Sequence, residues 1–216
     1  MAPARSAHAE AAPGTTVTVL TMVSLSSPKL VLASTSPRRL ELLGRLGVAP
    51  DRIAAPDVDE DPRAGELPRA YVERIARAKA TAVPRGDDEV ILAGDTTIAA
   101  GRRILGKPTD AAEARAMLRL LSGRRHRCLS AICVVAADGT ERLRLSDTIV
   151  AFRPLEPGEI DAYLATDEWV GKAGAYAIQG RAEAFVRFLH GSHSGVVGLP
   201  LTETRALLRW AGLPLA

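Results

Sequence analysis

With 216 residues, 47% of them hydrophobic and 25% charged, the chain has material for a sizeable core and the balance of a globular, water-soluble protein. Its formal charge is only +3, aromatics make up 4%, and no basic run is interleaved with aromatic residues, which argues against nucleic acid as a partner. Two cysteines and four scattered histidines, without CxxC or HxxxH spacing, suggest neither a disulfide framework nor a zinc site, so any metal would be a hard cation held by carboxylates and phosphates.

Residues 1 to about 27 are rich in Ala, Thr, Ser and Pro around the apolar patch VTVLTMVSL. Little positive charge precedes that patch and no clear cleavage site follows it. The segment reads as a disordered tail or a mis-called start, with translation beginning near Met22, and residues 28–216 read as a single domain. No stretch approaches the roughly 20 apolar residues of a membrane span.

Leu30 to Ala33 reads as a buried strand, followed by Ser34-Thr35-Ser36-Pro37 and a helix with an apolar stripe of Leu40, Leu43 and Leu46, with Leu42 beside it. Ser36 suits the N-cap and Pro37 the first turn. A hydroxyl-rich loop at a helix N-terminus favours an anion, and Arg38 and Arg39 add two cations there. The plain alternative is a common Ser-Pro helix start with solvated arginines. The capping-box position holds Arg39 rather than Glu, and two cations at the positive end of a helix are unfavourable until an anion arrives.

Arg52 to Ala55 reads as a short strand, and PDVDEDPRAGELP as an acidic loop. Its Asp57, Asp59, Glu60 and Asp61 are either metal ligands or a solvated face. Pro68 to Val83 reads as a helix. Val90 to Ala93 reads as a buried strand interrupted by Gly94-Asp95-Thr96, resuming at Thr97 and Ile98 before a turn at Gly101. A carboxylate in an apolar strand is expensive unless paired or metal-bound, which makes Asp95 the leading acid candidate. Lys107 sits in the rigid turn Gly-Lys-Pro, and Asp110 with Glu113 caps a helix that stops at Gly123. Two long strands, His126 to Ala137 and Glu141 to Pro154, flank an Asp-Gly hairpin turn, with Cys128 and Cys133 facing opposite sides of the first. Glu156 to Ala165 reads as a short helix. Gly171 to Gly180, GKAGAYAIQG, is a small-residue loop presenting Lys172 and Gln179. A strand over Ala184 to Leu189 and a last helix over Thr202 to Trp210 complete the chain. Lysine occurs four times against 24 arginines, which singles out Lys79, Lys107 and Lys172 as places where a compact point charge is wanted.

LASTSPRRLELL, DVDE, ARAKA, AGDTTI, GKP, LSGR, GKAGAYAIQG and VVGLPL occur in that order. Together they resemble the Maf-like nucleoside triphosphate pyrophosphatases from about Leu30 to the C-terminus. The resemblance implies an α/β fold, a long twisted mixed sheet flanked by helices with two lobes around a substrate cleft, as in the Maf and ITPase-like proteins. It also implies a cytoplasmic enzyme, often a homodimer, that hydrolyses a nucleoside triphosphate between the α and β phosphates with a divalent metal, Mg²⁺ or Mn²⁺. The service implied is removal of modified or surplus nucleotides.

On that reading Arg39, Lys79 and Lys107 clamp the phosphates and Ser34 and Ser36 donate hydrogen bonds. Asp95 orients or deprotonates the attacking water, with or without metal contact, and Glu60 is a second candidate metal ligand. The family has a dTTP/UTP branch and a 7-methyl-GTP branch. The second carries an aromatic, a Gln and a Glu where this chain has Arg38, Thr96 and Gln179. A cationic methylguanine suits an aromatic stack and a carboxylate, whereas the Gln179 amide can both donate to and accept from a neutral pyrimidine edge. The residues therefore point to dTTP and UTP. Thr97 and Ala177 depart from the commoner Val or Ile and Gly. The alternatives are a 7-methyl-GTP pyrophosphatase and a non-catalytic nucleotide-binding regulator of cell division.

Overall fold

The apolar runs and amphipathic stretches assemble into one mixed sheet in a computed structural model that describes residues 27–215. The tail reading of residues 1 to 27 falls, but for Ser27, outside the described residues. In chain order the elements are β1 (Lys29–Ala33), α1 (Pro37–Gly44), β2 (Arg52–Ala54), α2 (Pro68–Ala82), β3 (Glu89–Ala100), β4 (Arg103–Leu105), α3 (Ala111–Leu121), β5 (Arg125–Val135), β6 (Glu141–Phe152), α4 (Pro157–Leu164), β7 (Val186–His190), α5 (His193–Val197) and α6 (Leu201–Trp210). The seven-stranded sheet runs β2-β1-β3-β5-β6-β7, with β4 added to β3. β1 is parallel to both β2 and β3, and every other pairing is antiparallel.

Alternation along β1 explains its unbroken apolar run, because a strand flanked by parallel neighbours is buried on both faces. Val31 and Ala33 pack with Tyr71, Val72, Ile75 and Ala76 of α2. Leu30 and Leu32 pack on the other face with Leu42 and Leu43 of α1 and Leu207 and Leu208 of α6. These two clusters make one lobe. A third cluster joins Ile98, Leu118, Leu121, Phe152 and Tyr163 into a second lobe built on α3, α4 and the far ends of β3, β5 and β6. Cys128 and Cys133 fall in clusters on opposite faces, as their odd spacing requires.

Four local expectations are corrected. α1 ends at Gly44, so its buried face is Leu42 and Leu43, while Leu40 is 39% exposed and Leu46 lies beyond the helix. Ser36 occupies the N-cap without a side-chain cap hydrogen bond. Strand β3 is not interrupted at Gly94-Asp95-Thr96, because β5 pairs with it throughout, Gly94 opposite Ile132 and Thr96 opposite Ser130. Only the other edge is interrupted: β1 stops opposite Ala93, and β4 takes over from Ile98. Strand β4 and the five-residue helix α5 are additional elements, too short to declare themselves by periodicity.

Candidate active site

The gap between the end of β1 and the start of β4 opens a cleft at the carboxyl end of a parallel strand pair, the usual crevice of open α/β sheets. A cavity of about 580 Å³ occupies it, of a size for a small organic ligand. Ser34, Ser36, Arg38, Arg39, Glu60, Lys79, Asp95, Thr96, Lys107 and Gln179 all line this one cavity. Residues scattered over most of the sequence are therefore brought together.

The centre is a buried charge cluster. Lys79 projects from α2 and is only 6% exposed, as is Asp95 on β3. The Lys79 ammonium lies 2.8 Å from Asp95 Oδ1 and 2.7 Å from Glu60 Oε1. Such burial of an ammonium is tolerable only with paired carboxylates. Lys107 reaches the other Glu60 oxygen at 3.5 Å. Burial works against ionisation of Glu60, but the hydrogen bonds and charges of Lys79 and Lys107 outweigh it and hold its carboxyl below the usual range. The Glu60 loop is fastened by the Tyr71 hydroxyl, which donates to the Glu60 carbonyl at 2.9 Å. Burial, with the charges of Asp95 and Glu60, pushes that phenol up to about 12, so it stays a neutral donor.

The turn from β1 into α1 supplies the second wall. The missing side-chain cap has a use here, because the Ser34 hydroxyl oxygen accepts instead from the Ser36 N–H at 3.2 Å and from the Arg39 guanidinium at 3.1 Å. With its lone pairs engaged, Ser34 retains its O–H to donate into the cavity. Arg39 Nε donates to the Gly198 carbonyl at 2.9 Å, which fixes the guanidinium plane against the end of α5. Burial lowers the pKa of Arg39, against the raising charges of Asp95 and Glu60, and lowers that of Arg38, helped by Arg39 beside it. Arg38 Nε is buried with no hydrogen-bond partner among the described residues. Lys172, the remaining lysine of the cavity, is lowered by burial and by the charge of Arg38. Five cations thus face two carboxylates in one cleft, an arrangement that favours a multiply charged anion.

The third wall is the loop 171–180 with the end of α5. Tyr176, Ala177 and Gln179 line it, and the Ala177 N–H donates to the Tyr163 hydroxyl at 3.0 Å. Beneath it the Tyr176 hydroxyl and His126 Nε2 are 2.9 Å apart, both residues buried and both ring-edge partners of Phe152. Gly174 has φ +68°, and a Cβ there would come 2.9 Å from Ile98, so the loop can approach β3 this closely only with glycine. Sequence reasoning did not assign Val196, Val197 and Gly198, although VVGLPL marked the place, nor Tyr176. Among the described residues no group of three or more His, Cys, Asp or Glu is arranged to hold a metal by itself.

Comparison with known proteins agrees with these motifs. The family model described as Maf-like protein matches residues 29–211. A Sphingopyxis alaskensis protein named dTTP/UTP pyrophosphatase is 68% identical over 188 residues, covering 87% of this chain and 99% of its own. A Novosphingobium aromaticivorans protein of the same name is 58% identical, covering 87% of this chain and 94% of its own. Among solved structures, a nucleoside-triphosphatase / dITP/XTP pyrophosphatase from Mycobacterium abscessus is 20% identical with a TM-score of 0.39, over 57% of this chain and 72% of its own. With a family model spanning almost all the described residues, and relatives this similar over nearly their whole length, the chain belongs to the Maf-like protein family.

Proposed function

We propose that this protein hydrolyses dTTP and UTP between the α and β phosphates, releasing the monophosphate and pyrophosphate, as a house-cleaning enzyme of the nucleotide pool. The observation that carries the reading is the meeting, in one cleft, of a cation-rich wall with the buried Glu60–Lys79–Asp95 cluster. The names of the relatives support the choice of substrate.

Arg39, Lys79 and Lys107 bind the phosphate chain, with Ser34 and Ser36 donating hydrogen bonds to it. Asp95 Oδ1 accepts from Lys79, which leaves Oδ2 to orient the attacking water and accept its proton. Burial matters here, since a dry, fixed carboxylate and fixed cations need no reorganisation as charge develops on the phosphorus oxygens. Glu60 and Asp95 flank one ammonium and offer hard oxygen donors, so these two residues would hold a divalent cation such as Mg²⁺ or Mn²⁺. Such a cation supplies Lewis-acid stabilisation of the phosphate oxygens. Arg38, Thr96 and Gln179 address the base. A cytoplasmic location fits the substrate, and no helix among the described residues is long and apolar enough to cross a membrane.

The test is pyrophosphate release from dTTP, UTP, CTP, GTP and 7-methyl-GTP with Mg²⁺ or Mn²⁺. Preference for dTTP and UTP is expected. Preference for 7-methyl-GTP would overturn the reading of Arg38, Thr96 and Gln179, and tight binding without turnover would replace the enzyme by a nucleotide-binding regulator.

A further inference from the structure

Thr96 and Ser130 stand directly opposite each other in the β3–β5 register, with their hydroxyl oxygens 2.6 Å apart. Ser130 is only 1% exposed, and its hydroxyl donates to the Gly195 carbonyl of α5 at 2.8 Å. A carbonyl can only accept, so the single hydroxyl hydrogen of Ser130 is committed to it. The hydrogen between Ser130 and Thr96 must then come from Thr96. Thr96 lines the cavity, and with its hydrogen spent on Ser130 its oxygen can only accept from a ligand.

We propose that this relay, Thr96 to Ser130 to the Gly195 carbonyl, locks Thr96 as a hydrogen-bond acceptor and thereby selects a pyrimidine whose ring N3 carries a hydrogen. Ser130 is then a positioning residue for base choice, although it touches no substrate. The inference rests on the reading of the cavity as a pyrimidine nucleoside triphosphate site. Uracil and thymine present N3–H to the locked oxygen. Cytosine presents a bare N3, so two lone pairs face each other in a partly desolvated site. A threonine free to rotate would serve either base, because a hydroxyl can donate or accept. The direction of one buried hydrogen bond therefore carries the discrimination. The relay also shares its anchor with the phosphate end, since Gly198, three residues beyond Gly195, accepts from Arg39.

The experiment compares kcat/KM for UTP and CTP in the wild-type chain, Ser130→Ala, Thr96→Ser and Thr96→Val. Wild type prefers UTP. Ser130→Ala frees the Thr96 hydroxyl to turn and donate to cytosine N3, so the UTP:CTP ratio falls about tenfold, the scale of one buried donor–acceptor mismatch. Thr96→Ser keeps the ratio and Thr96→Val lowers it. A Ser130 that only supported the fold would lower both substrates in parallel, and an unchanged ratio in Ser130→Ala overturns the proposal. Should that variant not fold, an unchanged ratio in Thr96→Val overturns it equally, as would a wild type that hydrolyses UTP and CTP alike. A wild type that turns over neither UTP nor dTTP is a different failure, that of the pyrimidine reading itself.

Discussion

Replacing Asp95 by Asn separates chemistry from binding. The substitution keeps the shape of the side chain and an oxygen for the Lys79 ammonium, now 2.8 Å away, but removes the charge and the proton-accepting oxygen. Lys79 does not become an orphaned buried charge, which would cost about 3–5 kcal/mol, because Glu60 stays 2.7 Å away. The loss is one charge-assisted hydrogen bond weakened to a neutral one, about 1–2 kcal/mol. In a domain of this size that lowers Tm by about 2–8 °C. Turnover should suffer far more, with kcat for UTP falling about 10²–10⁴-fold, the range for a lost general base. Affinity for a non-hydrolysable α,β-methylene analogue of UTP, measured without divalent metal, should hold or rise, since a negative charge beside the triphosphate has gone. Pyrophosphate release at saturating UTP gives the first quantity and titration calorimetry the second. A kcat within about tenfold of wild type would refute Asp95 as the base. A parallel collapse of affinity, turnover and Tm would instead mark it as a structural anchor for Lys79.

Two further outcomes follow from buried geometry. Gly174→Ala combines a left-handed backbone with a Cβ 2.9 Å from Ile98, so it should destabilise by about 2–4 kcal/mol and raise KM for UTP by loosening the loop that carries Gln179; an unchanged melting curve would show that the loop is not held against β3. Burial pulls the His126 imidazole down to about 4 from 6.5. The unfolded chain therefore takes up a proton that the folded one refuses between those values, so this stability is fully present above about pH 6.5 and about 3 kcal/mol is lost as pH falls to about 4. Denaturant midpoints across pH 4–8 should show that slope in wild type and lose it in His126→Gln; equal slopes would refute the buried neutral imidazole.

Local signals were legible where the physics is local. The Asp110 cap accepts the Glu113 N–H at 2.8 Å as its spacing foretold, and the Asp138-Gly139 turn joins β5 to β6 with Gly139 at φ +85°. The lysine count also carried information, because Lys79, Lys107 and Lys172 line the cavity while Lys29 pairs with Asp88 on the surface. What stayed hidden is non-local. Ser36 holds the N-cap position as expected, but its side chain makes no cap hydrogen bond; its N–H donates to Ser34 Oγ, which the Arg39 guanidinium also reaches. Ser130 looked like any small residue in a buried strand, and only the register opposite Thr96 and the arrival of α5 from the C-terminal end give its hydroxyl a direction. Helix α5 has too few residues for a period, and its position comes from a Ser192 cap and the contacts that follow.

The misjudged break in β3 explains best how the site is made. Gly-Asp-Thr in an apolar strand looks like an interruption because polar side chains there have no core to enter. In the folded chain β5 continues the ladder on one edge, while the end of β1 leaves the other edge open. The polar residues fall at that opening. Because side chains alternate, Asp95 meets Lys79 on the α2 side while Thr96 meets Ser130 on the opposite side. One strand thus presents the Asp95 carboxylate toward one wall and the Thr96 hydroxyl toward another, with no loop needed to place either. Gly94 completes the device: a Cβ there would lie 3.2 Å from the Ala131 carbonyl oxygen and 3.3 Å from Ile132 Cγ2, so the missing side chain lets β5 pack this closely beside Asp95. A one-residue slip of β3 against β5 would exchange the two faces, which is why the apolar residues on either side, Val90 to Ala93 and Ile98, must fix the register as firmly as they do.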